Sequence, residues 1–75
     1  MTPKQCKAAR ILLSWSQEEL ARRANLSTTT VSQFELENKR TWPRNQDAIR
    51  QTLEAAGIMF REPDQFGDIG VRLVR

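Results

Sequence analysis

Residues 16–36, Ser-Gln-Glu-Glu-Leu-Ala-Arg-Arg-Ala-Asn-Leu-Ser-Thr-Thr-Thr-Val-Ser-Gln-Phe-Glu-Leu, encode two short amphipathic helices and the tight turn between them. Both helix starts are written locally. Ser16 and Ser27 are N-cap residues by type, and Glu19 stands at the capping-box distance from Ser16. The first helix must stop at Asn25, because a sharp reversal needs a residue that tolerates positive φ and asparagine is the usual choice after glycine.

A chain of 75 residues supports one domain, near the size at which a single core contributes only about 3 to 5 kcal/mol without a staple or partner. Self-association is therefore expected. Cys6 is the one cysteine and histidine is absent, so neither an intramolecular disulfide nor a Cys₂His₂ zinc site can form. No metal or cofactor is expected, and a reducing cytoplasm suits the chain. No apolar run approaches the roughly 20 residues that span a bilayer, and the amino-terminal segment lacks the layout of a secretory signal.

The formal net charge of +3 is unevenly placed. Up to Arg44 there are eight basic residues against four acidic ones, whereas from Asn45 onward four arginines face five acids. The positive excess travels with the paired helices, as expected of a surface that meets a polyanion.

Along the chain, Thr2 and Pro3 start a first helix over Pro3 to Ser14, with Ala8, Ala9, Ile11, Leu12 and Leu13 as its apolar side. The second runs Gln17 to Ala24, turning Leu20, Ala21 and Ala24 inward. The third follows Ser27, with Val31 and Phe34 on one side. A fourth is expected from about Gln46 to Ala56, started by Asn45 or Thr41, with Ala48 or Ile49, Leu53 and Ala56 inward and Gly57 as its stop. Beyond Gly57 the apolar period shortens to about 2 in Ile58 to Phe60 and Val71 to Val74, flanking a turn-rich stretch from Pro63 to Gly70. A two-stranded hairpin is expected. The fold class is mainly α, four helices followed by a C-terminal hairpin, with residues 1–56 and 57–75 as its two parts.

At about 100° per residue, turning Val31 to the core leaves Thr29 and Gln33 most nearly opposite, with Thr30 and Ser32 on the flanks and Thr28 at the tip. All are uncharged hydrogen bonders, although a solvated helix face more often uses Lys and Glu. The major groove of DNA supplies a reason: glutamine pairs two-pronged with adenine, and threonine and serine bond several base edges. The plain alternative is a capping and solubility run.

Ser16-Gln17-Glu18-Glu19-Leu20-Ala21, Ala24-Asn25-Leu26-Ser27 and Val31-Ser32-Gln33-Phe34-Glu35 together resemble the lambda-repressor-like, or XRE-type, helix-turn-helix regulators of bacteria and phages. The resemblance covers roughly Lys7 to Ala56. It implies a compact helical bundle whose third helix enters the major groove, usually as a two-fold dimer on a palindromic operator, and hence a transcriptional repressor.

Carried over by position, the resemblance implies base contacts from Thr28, Thr29, Gln33 and Ser32. It implies phosphate contacts from Gln17 and Thr30 and, beyond the third helix, from Lys39, Arg40 and Arg44. Arg10 and Glu35 match a buried or half-buried ion pair between the first and third helices, and a lone carboxylate beside inward Phe34 would indeed be costly. The chain departs from the family at Leu36-Glu37-Asn38, where a glycine is common; Asn38 would then be the left-handed residue, and Leu36 would need cover from Trp42 or a second subunit. Trp15 and Trp42 are expected in the core or at its rim. Arg22 and Arg23 are expected to solvate the second helix, with Glu18 and Glu19 available for pairs across a helical turn.

A short two-stranded ribbon is marginal alone, so Ile58, Phe60, Val71 and Leu73 must pack on the bundle or pair with a second copy. Homodimerisation through the hairpin is the expectation. An enzyme is not: Cys6 has no evident base in the sequence, and no phosphate loop or metal cluster is present. The competing reading is an antitoxin-like chain that neutralises a protein partner through the hairpin.

Overall fold

The computed structural model describes residues 1–36, 41–61 and 70–74. Four helices, α1 (Pro3–Leu12), α2 (Gln17–Ala24), α3 (Thr28–Glu35) and α4 (Pro43–Ala55), precede strands β1 (Ile58–Phe60) and β2 (Val71–Leu73). The fold is therefore mainly helical with an antiparallel C-terminal hairpin, paired Ile58 to Leu73, Met59 to Arg72 and Phe60 to Val71.

Caps set the helix boundaries. Thr2 and Gln5 form a full capping box on α1, the Thr2 hydroxyl accepting the Gln5 N–H and the Gln5 side chain accepting the Thr2 N–H. At the other end Ser14 takes φ 59°, and the Trp15 N–H reaches the Arg10 carbonyl at 2.9 Å. That 6→1 bond closes α1 two residues before the expected Ser14 end, because a left-handed residue cannot continue the helix. Asn25 does the same for α2, with φ 61° and the Leu26 N–H on the Ala21 carbonyl at 2.8 Å.

The capping box expected at Ser16 is only half present. The Ser16 hydroxyl accepts the Glu19 N–H at 3.0 Å, but the Glu19 carboxylate turns to Arg22 at 2.6 Å and Arg23 at 2.5 Å. Two charged donors outbid one backbone amide. Ser27 caps α3 through the Thr30 N–H. Helix α4 begins at Pro43, three residues ahead of Gln46, because proline at the first helical position needs no N–H partner and its φ is already helical. Gly57, at φ 106°, ends it.

One cluster unites the elements: Cys6, Ala9, Leu20, Ala21, Val31, Phe34, Ile49, Leu53 and Ile58 are buried, with Leu13, Trp15, Leu26, Phe60 and Val71 packed against them. The face that α1 offers is rotated from the apolar reading. Gln5, Cys6 and Ala9 are inside, whereas Ile11 and Leu12 are 60% and 45% exposed. Polar partners for Gln5 and Cys6, supplied by the hairpin and by α3, make that rotation favourable. Ile58 is core, while Leu73 lies at the edge of cover with Met59 and Val74 exposed.

Trp15 lies at the core rim with the Arg23 guanidinium stacked 4.5 Å from its ring centre. Trp42 does not: it is 71% exposed, as is Leu36, so neither covers the other fully. Proline at the first helical position makes Trp42 the N-cap residue, outside α4, and its side chain makes no capping hydrogen bond there.

Candidate functional site

Helices α2 and α3 pack on each other through Leu20, Ala21, Val31 and Phe34, which fixes how α3 is presented. With Val31 and Phe34 buried, Thr28, Thr29 and Gln33 are exposed, and Thr30 and Ser32 are half-buried on the flanks. Thr30 is already engaged, its hydroxyl 2.8 Å from the Ser27 hydroxyl. The outer side of α3 is thus a short, uncharged row of donors and acceptors on a helix held from behind. Arg44 stands exposed in the first turn of α4. Lys39, Arg40 and Asn38 lie outside the described residues, as does most of the expected turn from Pro63 to Gly70.

Behind that row sits a buried polar cluster. Arg10 donates from Nε to Glu35 Oε2 at 2.8 Å and from Nη2 to Glu35 Oε1 at 2.9 Å, a two-pronged pair joining α1 to the last residue of α3. The side chains are 13% and 4% exposed. Arg10 Nη1 also donates to the Trp15 carbonyl at 2.9 Å, fastening the corner after α1. Glu35 takes two further donors: Gln17 Nε2 at 3.1 Å on Oε1 and the Cys6 thiol at 3.4 Å on Oε2.

The titration behaviour follows from this geometry. Burial pushes the Glu35 carboxyl up, but hydrogen bonds from Arg10 and Gln17, with the Arg10 charge and the Cys6 thiol, outweigh it and hold the group below its ordinary value. The hydrogen bond to Glu35 raises Arg10. Burial, then the neighbouring Glu35 charge, pushes the Cys6 thiol far up. Cys6 therefore does have a carboxylate beside it, unlike the sequence expectation, yet it is a fully buried and protonated thiol, the opposite of a nucleophile.

Sequence reasoning singled out Arg10 and Glu35 but not Cys6, nor the bond from Gln17. A signal existed for Cys6: it stands one helical turn before Arg10, so both face the same carboxylate. A groove of about 650 Å³ between α2 and α4 has Arg23 as the one ionisable side chain among its described lining residues and offers no acid–base pair. Among the described residues no group of three His, Cys, Asp or Glu side chains converges, and no helix is long and apolar enough to cross a membrane.

The model of a helix-turn-helix family, the XRE-type and lambda-repressor-like one, matches residues 7–51, which run from the middle of α1 through most of α4. No curated protein matches the chain.

Proposed function

The chain belongs to the lambda-repressor-like helix-turn-helix family of DNA-binding regulators, and from that premise we propose that it is a sequence-specific repressor that binds palindromic double-stranded operators as a homodimer in the cytoplasm. The observation carrying this reading is the outer side of α3. Thr28, Thr29 and Gln33 are exposed, uncharged and mounted on a helix whose inner side is locked by Val31 and Phe34.

In this reading α3 enters the major groove, where Gln33 meets adenine N6 and N7 and the threonines meet base edges or thymine methyls. Ser32 adds to base contact from the flank. Gln17 and Arg44, with Thr30, Lys39 and Arg40, hold the backbone and set the register. Short threonines reach less far than glutamine or arginine, so DNA shape carries a larger share of selectivity.

The dimer contact falls to the hairpin. Ile58 is committed to the core and Phe60 and Val71 pack against it, so among the described residues of the hairpin Leu73, with exposed Met59 and Val74, is what remains for a second copy. Selection of bound duplexes from a random DNA pool tests the proposal, and an inverted repeat is the expected outcome. Failure to enrich any sequence would overturn the specific-binding reading, and an asymmetric site bound by one subunit would overturn the dimer. Isolation of the natively expressed protein with a stoichiometric protein partner would favour the antitoxin-like alternative.

A further inference from the structure

Resting on the DNA-binding reading, we propose that Glu35 is a positioning residue for the interface, acting through Gln17. Glu35 cannot meet a duplex itself, since its side chain is 4% exposed. Gln17, the first residue of α2, is half-buried and is proposed to contact a phosphate. Their link is the 3.1 Å hydrogen bond from Gln17 Nε2 to Glu35 Oε1.

That bond settles which way the carboxamide is turned. An ionised carboxylate only accepts, so the amide end of Gln17 must face it and the carbonyl end cannot. The carboxylate stays ionised because Arg10 grips both of its oxygens. One amide hydrogen of Gln17 is consumed. The second, and the carbonyl oxygen Oε1, make no hydrogen bond among the described residues. The matching group on nucleic acid for that second hydrogen is an acceptor, a phosphate oxygen. A free glutamine would have to be ordered on binding, losing rotamer freedom, whereas Glu35 has ordered this one beforehand. Arg10 neutralises Glu35, so the buried carboxylate does not repel the phosphate that Gln17 meets.

The test is a double-mutant cycle on the duplex selected from the random pool, with wild type, Gln17→Ala, Glu35→Gln and the double variant. Gln17→Ala should weaken binding about tenfold, the size of one charge-assisted hydrogen bond. Glu35→Gln should weaken it comparably alone and not at all in the Gln17→Ala background. Equal losses from Glu35→Gln in both backgrounds, or wild-type affinity in Gln17→Ala, would overturn the proposal while leaving DNA binding intact. Absence of any duplex binding by wild type overturns the DNA-binding reading itself. Should Glu35→Gln fail to fold, nuclear magnetic resonance of the free wild type decides: the Gln17 side-chain amide should be markedly less mobile than that of exposed Gln51, and equal mobility would sink the idea.

Discussion

Gln5 donates its side-chain amide to the carbonyl of Arg61 at 2.6 Å and to that of Gly70 at 3.1 Å, so one buried side chain on α1 bolts down the mouth of the hairpin. The same carboxamide accepts the Thr2 N–H, closing the capping box of its own helix. The two strands meet at this point, since the Arg61 N–H donates to the Gly70 carbonyl at 2.9 Å. A hairpin with two three-residue strands has little stability alone. Here its attachment to α1 substitutes for further strands.

Replacing Gln5 by Leu should destabilise the protein by about 1 to 3 kcal/mol, because two carbonyls lose a buried donor. Amide hydrogen exchange should accelerate most in β1 and β2 and least in α2 and α3. Uniform acceleration across the chain would show that the hairpin is not held separately.

Glu35→Ala should cost about 3 to 5 kcal/mol, the penalty of leaving the Arg10 guanidinium buried without its counter-charge. The double variant Arg10→Met, Glu35→Leu should recover most of that loss, since no orphan charge remains. Urea denaturation of the three proteins checks both statements, and a loss below about 1 kcal/mol in Glu35→Ala would contradict the first.

Stability should fall at both ends of the pH scale for identifiable reasons. The Glu35 carboxyl is lowered in the folded state, so its contribution is complete above the ordinary value of about 4.3 and disappears as pH falls through its lowered native value. The Cys6 thiol is raised, so its contribution is complete below the ordinary value of about 8.5 and is lost as pH rises and only the unfolded chain ionises. Tyrosine is absent, so no phenol titrates on the alkaline limb. Urea midpoints measured from pH 3 upward should show a flatter acid limb in Glu35→Gln and a flatter limb above about pH 8.5 in Cys6→Ala.

At the turn, Asn25→Gly should be nearly neutral, whereas Asn25→Ala should cost about 1 kcal/mol, the Cβ penalty of the left-handed conformation seen at φ 61°. Thermal melting separates the two. Identical melting temperatures would mean that the turn relaxes to another conformation.

For DNA, Gln33→Ala should cost about 1 to 3 kcal/mol and relax preference at one base pair, while Arg44→Ala should weaken all sequences alike and reduce the salt slope by about one. Competition with random DNA distinguishes them. An equal loss on specific and random duplexes for Gln33→Ala would remove that residue from base reading.

What the sequence disclosed was what depends on neighbours within a turn or two. Ser16, Ser27, Asn25 and Gly57 mark their boundaries by local chemistry, and Leu20, Ala21, Val31 and Phe34 declare the inner faces by spacing. What escaped depends on partners far along the chain. Nothing local marks Gln5, whose acceptors come from the hairpin, and Ile11 reads as core until Gln5 and Cys6 take the inner face of α1. On the outer side of α3, the exposure of Thr28 and Gln33 follows from local periodicity, but the grip of Glu35 on Gln17 needs three helices in place. The size of Trp42 suggests burial, whereas Pro43 sets the start of α4 and leaves Trp42 exposed before it.

The Gln5 bolt joins residues 56 and 65 positions apart. Contacts so distant carry a high loop-closure cost, so they are expected to close after α1 and the neighbouring helices have organised. Weakening this bond should therefore leave the refolding rate almost unchanged and shorten the lifetime of the folded state instead. The hairpin would then act as a latch on a door already shut, its strength setting how long α1 and the helices packed on it stay held together.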